Sequence, residues 1–333
     1  MSKFSLLDCT LRDGGYITSW NFSDSAIRDM IASLSEAHID YIECGYLNSL
    51  ECKQDSTIFQ NINKIIGFLP EARNSFFLAM ADVAQFKPED ITPFDGRSID
   101  GIRVVFYKHQ IDEALEFAGS VKENGYKLFM QPMVTIDYSL NEYAALINRI
   151  AELNPYCISL VDSFGYMTQD DFRRYYNVVD NLLNLDINVG FHSHENMQLA
   201  FAVAQDVLNY NTARRVIIDA SLYGIGRGAG NLCTETIANY YNSLLGFKYN
   251  IQILMRLIND YIMPVRKTKT WGFTPYLFLT GLYKCHPNFA CYLLENHDVS
   301  VSDFEKFLLM IPYEMRTKCK KPYVEELYQR FII

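Results

Sequence analysis

The sequence lacks the features that mark secreted, membrane-spanning and nucleic-acid-binding proteins. Its 333 residues contain no apolar run long enough to span a bilayer, and the start, Met1 to Phe4, lacks a signal-peptide pattern. The eight cysteines are scattered without a C-x-x-C pair, which argues against a disulfide framework or a zinc cluster. Positive charge is also scarce, because 30 lysines and arginines face 39 acidic residues, a net charge of −9. We therefore expect a cytoplasmic protein with reduced cysteines that binds neither nucleic acid nor a membrane.

Apolar residues, by contrast, are plentiful enough for a large hydrophobic core. Hydrophobic residues make up 49% of the chain against 21% charged residues, and no stretch is biased enough to predict disorder. The length exceeds that of one typical domain, but barrels of alternating strands and helices often reach this size. We expect one large domain followed by a shorter extension.

Short apolar runs alternate with helical patterns along most of the chain. Eight strand-like runs are predicted at residues 4–7, 40–45, 76–80, 101–106, 127–131, 157–161, 187–191 and 216–220. Helical patterns are predicted at residues 23–38, 57–69, 111–121, 140–153, 170–183, 198–208 and 234–245. Regular alternation requires a parallel sheet, and eight units predict an α/β fold that closes into a TIM (β/α)8 barrel over residues 1–247. Residues 248–333 are predicted to be a mostly helical C-terminal extension that acts as a lid, an oligomer contact or a partner contact.

Polar side chains gather where the predicted strands end. The set comprises Arg12, Asp13, Glu43, Asp82, Gln131, Asp162, Ser163, His192, His194 and Ser221. In a parallel barrel these ends form one rim, and catalytic residues lie there. Polar residues also simply mark the ends of strands, but that explanation does not account for an Arg-Asp pair together with an H-x-H sequence.

The H-x-H sequence predicts a metal site. His192 and His194 end an apolar run, and the strand period of two aims both side chains at the same side. With Asp13 on the same rim, two imidazoles and one carboxylate suit a divalent metal that keeps open positions for substrate. We expect Mn²⁺ first, with Mg²⁺, Co²⁺, Fe²⁺ and Zn²⁺ as alternatives. Two hydrogen-bonded or solvated histidines are the alternative reading of an isolated H-x-H.

The opening stretch, Leu7 to Tyr16, places Arg12 directly beside Asp13. Next to a metal, an arginine holds a carboxylate with two hydrogen bonds or stabilises a developing enolate. We favour the enolate role over the alternative of a simple surface cation.

A glycine-rich stretch, Gly224 to Asn231, follows the eighth predicted strand. It satisfies a loose dinucleotide-binding pattern, but that pattern belongs after an early strand with an acidic residue about twenty positions later. We interpret it as a tight loop whose backbone amides approach an anion, with Asn231 free to turn its carbonyl oxygen to the metal.

Three motifs together resemble a known superfamily. D-x-T-L-R-D-G at the start, H-x-H on the seventh strand and G-x-G-x-G-N on the eighth are similar to motifs of the pyruvate-aldolase and carboxyltransferase metalloenzymes. These enzymes include 3-hydroxy-3-methylglutaryl-CoA (HMG-CoA) lyase, isopropylmalate and homocitrate synthases, and 4-hydroxy-2-oxovalerate aldolase. The resemblance implies that Asp13, His192 and His194 bind the metal, that Asn231 completes or supports it, and that Arg12 steadies the enolate.

Within that superfamily, the chain looks most like 4-hydroxy-2-oxovalerate aldolase. The similarity lies in the opening motif, in Val161 to Ser163 and in Thr280 to Tyr283, and it implies substrate-binding roles for Ser163 and Tyr283. The chain departs from the aldolase pattern at Tyr16, where these aldolases carry a histidine base.

Two residues are candidates for the missing base. A phenol is a poor base at neutral pH unless a cation lowers its pKa, and Arg12 or the metal is the group that would do so for Tyr16. The other candidate is His286, because the family-like Tyr283 precedes it by three residues. A structural histidine ahead of Pro287 is the alternative reading of His286.

These inferences predict a divalent-metal-dependent, aldolase-type lyase that cleaves or forms a carbon–carbon bond of a 4-hydroxy-2-oxo acid through a pyruvate enolate. One alternative is a Claisen-type synthase that joins an acyl-CoA to a 2-oxo acid, for which the glycine loop is the sole hint. Another is a non-catalytic, metal-binding scaffold. The expected partners are a small 2-oxo acid substrate, an aldehyde dehydrogenase that takes the aldehyde product, and a second copy of the chain in a homodimer.

Overall fold

Nine strands make up the sheet of the protein in this computed structural model, which describes residues 3–49, 54–210 and 212–332. They are β1 (Phe4–Asp8), β2 (Tyr41–Leu47), β3 (Ile58–Phe59), β4 (Phe76–Asp82), β5 (Gly101–Phe106), β6 (Lys127–Pro132), β7 (Cys157–Asp162), β8 (Asn188–Ser193) and β9 (Val216–Ala220). All neighbours are parallel, in the order β1-β9-β8-β7-β6-β5-β4-β2, and β1 pairs with β2 to close the ring. The short β3 adds to the outside of this ring by pairing with β2. The predicted eight-stranded TIM barrel is therefore confirmed.

Helices follow the strands and continue beyond the barrel. They are α1 (Thr10–Asp13), α2 (Gly15–Thr18), α3 (Asp24–Glu36), α4 (Asn63–Ile66), α5 (Ile111–Glu123), α6 (Leu140–Glu152), α7 (Gln169–Leu182), α8 (Ala200–Leu208), α9 (Thr234–Leu245), α10 (Ile251–Leu257), α11 (Met263–Arg266), α12 (Pro275–Leu282), α13 (Asn288–Asn296), α14 (Val301–Met310) and α15 (Lys321–Phe331). A π-helix, Ile258–Ile262, joins α10 to α11. None of the helices described is long and apolar enough to cross a membrane.

Local sequence explains the helices around the barrel. In α3 the residues at i, i+3, i+4 and i+7 spacing, Ile27, Met30, Ile31 and Leu34, are all fully buried against the sheet. The helix α6 begins with a capping box in which Ser139 and Glu142 satisfy each other's backbone N–H groups. Periodicity and caps thus fix both the buried face and the start of these helices.

The helix predicted over residues 57–69 is mostly wrong. Ile58 and Phe59 instead form β3 beside Tyr46 and Leu47, and only the short α4 is helical in this stretch. A short apolar run satisfies both the helical and the strand period, and here pairing with the part of β2 that β1 leaves unpaired decides the outcome.

The barrel interior is layered along its axis. The end opposite the rim is filled by the apolar side chains of Leu7, Tyr41, Leu78, Phe129, Cys157 and Ile217. Nearer the rim, the interior carries the buried polar residues Glu43, Arg103, Gln131, Ser159 and Asp219. The strand period of two puts Glu43 and Asp219 on the same inward face as Tyr41 and Ile217. A polar floor therefore lies beneath the rim.

The helices after residue 250 divide between two hydrophobic clusters. Leu254, Leu257 and the π-helix residue Ile262 pack into the main core of the barrel. The helices α12 to α15 instead enclose a second cluster that includes Phe289, Phe307 and Val324. The helical C-terminal extension is confirmed, while the boundary between domains at residue 247 stays a prediction.

Candidate metal centre and active site

Three predicted metal ligands meet on the barrel rim. Asp13 ends α1, His192 lies in β8, and His194 follows directly after β8. One ligand atom from each residue lies within 4.8 Å of the others, and all three side chains are buried. The Nε2 atom of His192 lies 3.8 Å from Oδ2 of Asp13. This spacing leaves room for one shared cation.

Hydrogen bonds orient both imidazoles toward this point. The Nδ1 atom of His192 lies 3.1 Å from Oδ2 of Asp219, and the Nδ1 atom of His194 lies 3.2 Å from the carbonyl oxygen of Gly230. Because both partners are acceptors, each Nδ1 carries the proton and each Nε2 lone pair is free for a metal. Burial lowers the pKa of His194 to about 3, so it is neutral at physiological pH, as a metal ligand must be.

Asp13 is held in its charged form. Burial by itself raises the pKa of this carboxyl, but the attraction of Arg12 and the two histidines outweighs burial and brings the pKa well below its ordinary value. The Nη1 atom of Arg12 donates to Asp13 at 2.9 Å, and its Nε atom donates to Glu43 at 2.8 Å. The remaining nitrogen, Nη2, is buried without a hydrogen-bond partner. Arg12 is therefore fixed by two carboxylates while one of its donors stays available.

Asn231 supplies an observation that tests whether a metal fits here. Its Nδ2 atom donates to Oδ2 of Asp13 at 2.5 Å and to the carbonyl oxygen of Ile225 at 3.2 Å. Its Oδ1 atom is buried and has no hydrogen-bond partner. An orphaned buried oxygen is costly unless something binds it, and an oxygen beside a carboxylate and two imidazoles suits a divalent cation. The residues therefore fit the predicted metal.

A pocket of about 290 Å³ opens above these ligands. Of the residues predicted for the site, Arg12, Asp13, Tyr16, Ser163, His192 and His194 line it. The rest of its lining includes residues to which the sequence analysis gave no specific role: Tyr46, Asp82, Tyr107, Gln131, Met133 and Arg227. We call this the catalytic pocket.

Tyr16 lines the pocket, but the pKa of its phenol is too high for it to act as a base at neutral pH. Its ring lies 4.9 Å from the ring of Trp20 and 5.8 Å from the guanidinium carbon of Arg227. Although 41% of the surface of Tyr16 is exposed, desolvation of its hydroxyl group at the pocket raises the pKa of Tyr16, and the nearby charges of Arg227 and Arg12 only partly offset this. The phenol is therefore protonated at neutral pH in the free protein.

Two predicted site residues lie elsewhere. Tyr283 does not line the catalytic pocket, and its hydroxyl donates to Glu305 at 2.6 Å. His286 lines a neighbouring cavity, where its ring packs 4.9 Å from that of Phe164. This geometry supports neither the substrate role of Tyr283 nor the catalytic role of His286, and both roles stay predictions.

An ionic network beneath the rim escaped the sequence analysis. Arg103 donates to Asp219, and its Nη1 atom lies 3.1 Å from Oε1 of Glu43. Asp219 in turn orients His192, while Glu43 holds Arg12. The sequence signal for such a network is a charged residue at an inward position of an apolar strand, because a buried charge needs a partner.

Arg227 also carries a charge that the sequence analysis did not use. It extends over the pocket from the glycine-rich loop, with Nη2 3.5 Å from the carbonyl oxygen of Ser163. In the described part of the chain, no carboxylate lies within ion-pair distance of it, which is unusual for a half-buried guanidinium. Arg227 is therefore a free cation at the mouth of the pocket.

Comparison with known proteins agrees with this site. The HMGL-like family matches residues 100–259, which include both histidines and Asn231. This match covers a little under half of the chain. The superfamily resemblance predicted from the three motifs is therefore confirmed.

Curated relatives of this chain carry lyase names. Oxaloacetate decarboxylase of Mycobacterium tuberculosis is 25% identical over 240 residues, which cover 70% of this chain and 68% of that protein. 4-Hydroxy-2-oxovalerate aldolase of Thermomicrobium roseum is 28% identical over 244 residues, covering 71% of this chain and 66% of that protein. The matches thus span about two thirds of each relative. They support an aldolase-type lyase.

Solved structures share the fold of this chain. The N-terminal domain of a protein described as an aldolase, from Bacteroides vulgatus, has a TM-score of 0.74 and 25% identity, covering 88% of this chain and 97% of that one. HMG-CoA lyase from Brucella melitensis has a TM-score of 0.60 and 16% identity, covering 79% of this chain and 98% of that one. The second likeness bears on the fold alone.

Proposed function

We propose that this protein is a divalent-metal-dependent aldolase that cleaves or forms a carbon–carbon bond of a 4-hydroxy-2-oxo acid through a pyruvate enolate. The observation that carries the proposal is the convergence of Asp13, His192 and His194 beside the unpartnered Oδ1 atom of Asn231. The relatives named 4-hydroxy-2-oxovalerate aldolase support the choice of substrate class.

Asp13, His192 and His194 would hold the metal, with Asn231 as a further oxygen ligand or a support for Asp13. We propose Mn²⁺ first, with Mg²⁺, Co²⁺, Fe²⁺ and Zn²⁺ as alternatives. A divalent cation here supplies Lewis-acid polarisation of the 2-oxo group. In the same proposal, the hydrogen bonds to Asp219 and Gly230 keep both imidazoles in the ligating tautomer.

Arg12 stabilises the negative charge that develops as the bond breaks. Glu43 and Asp13 already hold its guanidinium in place, so little reorganisation is needed when the enolate oxygen forms. Its unpartnered Nη2 atom is the donor available for that oxygen. Arg227, which has no carboxylate partner among the described residues, binds the substrate carboxylate with the help of Ser163.

Tyr16 transfers the proton of the 4-hydroxyl group. In cleavage that proton leaves the oxygen, the electron pair of the carbon–carbon bond passes to the 2-oxo side to form the enolate, and protonation of the enolate gives pyruvate beside an aldehyde. A phenol with a raised pKa is suited to the reverse step, in which it gives a proton to the aldehyde oxygen as the bond forms. In cleavage the same oxygen, as phenolate, takes the 4-hydroxyl proton, so a raised pKa lowers the fraction of the protein that is ready for cleavage at neutral pH.

Decarboxylation of a 2-oxo dicarboxylic acid is a second candidate function. It passes through the same pyruvate enolate but needs no base for a hydroxyl proton. The observation that favours it is the protonated Tyr16 at the position of the aldolase histidine, and the relative named oxaloacetate decarboxylase is consistent with it.

A homodimer and a dehydrogenase that takes the aldehyde remain part of the proposal as partners.

The metal content of purified variants tests the ligand assignment. We expect Asp13→Asn and His192→Ala to lose most of their divalent metal in elemental analysis, because each removes one ligand from a small set. His109→Ala is the matched control, since this exposed histidine lies outside the catalytic pocket. Metal content equal to the parent in both ligand variants would refute the assignment.

A further inference from the structure

A second cavity adjoins the catalytic pocket and has no part in the chemistry described above. Its volume is about 690 Å³, and it lies between the rim of the barrel and the C-terminal extension. Its walls are the segments after β5 and β6, the side chain of His286, and residues 317–320 ahead of α15. Tyr107 and Met133 line both cavities, so the two spaces meet at these side chains.

The lining of this cavity is basic in a chain of net charge −9. Lys108 is paired with Glu142 at 2.9 Å, so it adds little free charge. Lys318 and Lys320 alternate along an extended segment, both line the cavity, and the described residues place no carboxylate within ion-pair distance of either. The acidic residue on the wall is Asp137, and burial raises the pKa of its carboxyl. Lys318 and Lys320, both exposed, therefore bring two positive charges without an ion-pair partner among the described residues to a cavity whose one carboxylate is that of Asp137.

His286 adds a neutral hydrogen-bond donor to the same wall. Its side chain is buried, and its Nδ1 atom accepts the backbone N–H of Asn288 at 3.0 Å. The ring proton is therefore on Nε2. Burial and the charge of Arg227 keep the pKa of His286 well below its ordinary value, so the ring stays neutral. An oriented N–H donor that lines the same cavity as two ammonium groups without ion-pair partners among the described residues is suited to a phosphate.

We propose that this second cavity binds the phosphate of a substrate whose aldehyde half ends in a phosphate group. The inference rests on the proposed function in assigning the 2-oxo acid end to the metal and Arg12. The aldehyde half then leads away from the metal, past Tyr107 and Met133, to Lys318, Lys320 and His286. The cavity thus defines the substrate class as phosphate-terminated 4-hydroxy-2-oxo acids.

Direct binding tests the subsite without any turnover. Inorganic phosphate is titrated into the full-length parent, into the double variant Lys318→Met with Lys320→Met, and into the control Lys321→Met, with ³¹P NMR line widths as the readout. Lys321 starts α15 but does not line the cavity. We expect phosphate to bind the parent and the control alike and to bind the double variant at least about ten-fold more weakly. No binding to the parent, or equal binding to all three proteins, overturns the subsite.

Turnover then tests whether the subsite serves the substrate. Pyruvate release is measured from 4-hydroxy-2-oxopentanoate and from a phosphate-terminated 4-hydroxy-2-oxo acid. We expect the parent to have the lower KM for the phosphorylated compound, and the double variant to lose that difference. The same KM difference in both proteins overturns the inference. Pyruvate release from neither compound contradicts the proposed function instead, and the phosphate titration still decides the subsite.

Discussion

Tyr16 is the residue on which the type of reaction depends. It stands where the related aldolases are expected to carry a histidine, it lines the catalytic pocket, and desolvation of its hydroxyl group raises its pKa. A protonated phenol is able to donate to an aldehyde oxygen but is a weak acceptor of the 4-hydroxyl proton. Decarboxylation needs neither step, so the two reactions separate the role of Tyr16 from that of the metal.

We predict that Tyr16→Phe lowers kcat for aldol cleavage and aldol formation by about 100-fold or more, because it removes the proton-transfer group and little bulk. Oxaloacetate decarboxylation by the same variant should stay within about three-fold of the parent. Steady-state assays of both reactions provide the check. Equal losses in the two reactions would show that Tyr16 shapes the pocket rather than moves the proton.

At single positions, the sequence was informative where a chemical group stands at the end of a strand. Asp13, His192 and His194 were predicted from residue type and strand period, and they meet in the structure. Tyr283 and His286 were proposed from sequence proximity and resemblance, and both lie outside the catalytic pocket. Their positions depend on how the C-terminal extension packs on the barrel, which no local pattern encodes.

Among the elements, the glycine-rich loop from Gly224 to Asn231 determines the geometry of the ligand set. Residue 231 pairs with His194 in an isolated antiparallel bridge, which joins the loop to the end of β8. A Cβ atom added at Gly226 would lie 2.4 Å from Nδ2 of Asn231 and 3.1 Å from Oδ2 of Asp13. Glycine is therefore needed here so that the asparagine and the aspartate can approach each other.

We predict that Gly226→Ala weakens metal binding by about 10-fold or more, since the added methyl group displaces a residue that supports a ligand. Thermal unfolding of the metal-free protein should change little by comparison. Gly119→Ala in α5 is the control, because an added Cβ there meets nothing within 4 Å. Metal titration followed by calorimetry measures the effect. Affinity equal to that of the parent would show that Asn231 and Asp13 do not depend on this glycine.

Hydrophobic periodicity decides which strands and helices could be predicted from the sequence. The strands and the long helices were predicted because their periods are unambiguous, as in α3, whose apolar stripe is fully buried. The structure of residues 57–69 was not predicted, because Ile58 and Phe59 fit both the helical and the strand period. Their pairing with β2 makes them a strand. The ionic floor of Glu43, Arg103 and Asp219 joins strands far apart in sequence, so only the closed barrel reveals it.

The whole molecule combines a rigid barrel with a separately packed helical extension. Alternation of strands and helices was sufficient to predict the barrel, because each parallel strand pair needs a crossover. The second hydrophobic cluster, formed by α12 to α15, places residues 317–320 and His286 over the rim beside the catalytic pocket. In the proposed function, the barrel thus supplies the metal ligands and the enolate site, while the extension supplies one wall of the space assigned to the far end of the substrate.

Pyruvate release from 4-hydroxy-2-oxo acids, with and without metal, tests the central claim most directly. Parent protein and Asp13→Asn are stripped with a chelator, assayed, reloaded with Mn²⁺ and assayed again, with a phosphate-terminated substrate alongside 4-hydroxy-2-oxopentanoate. We predict that the stripped parent is inactive, that Mn²⁺ restores pyruvate release, and that Asp13→Asn stays inactive after reloading, because the cation and its ligands are needed to stabilise the enolate. Full activity of the stripped parent, or recovery of Asp13→Asn to the level of the parent, would contradict it.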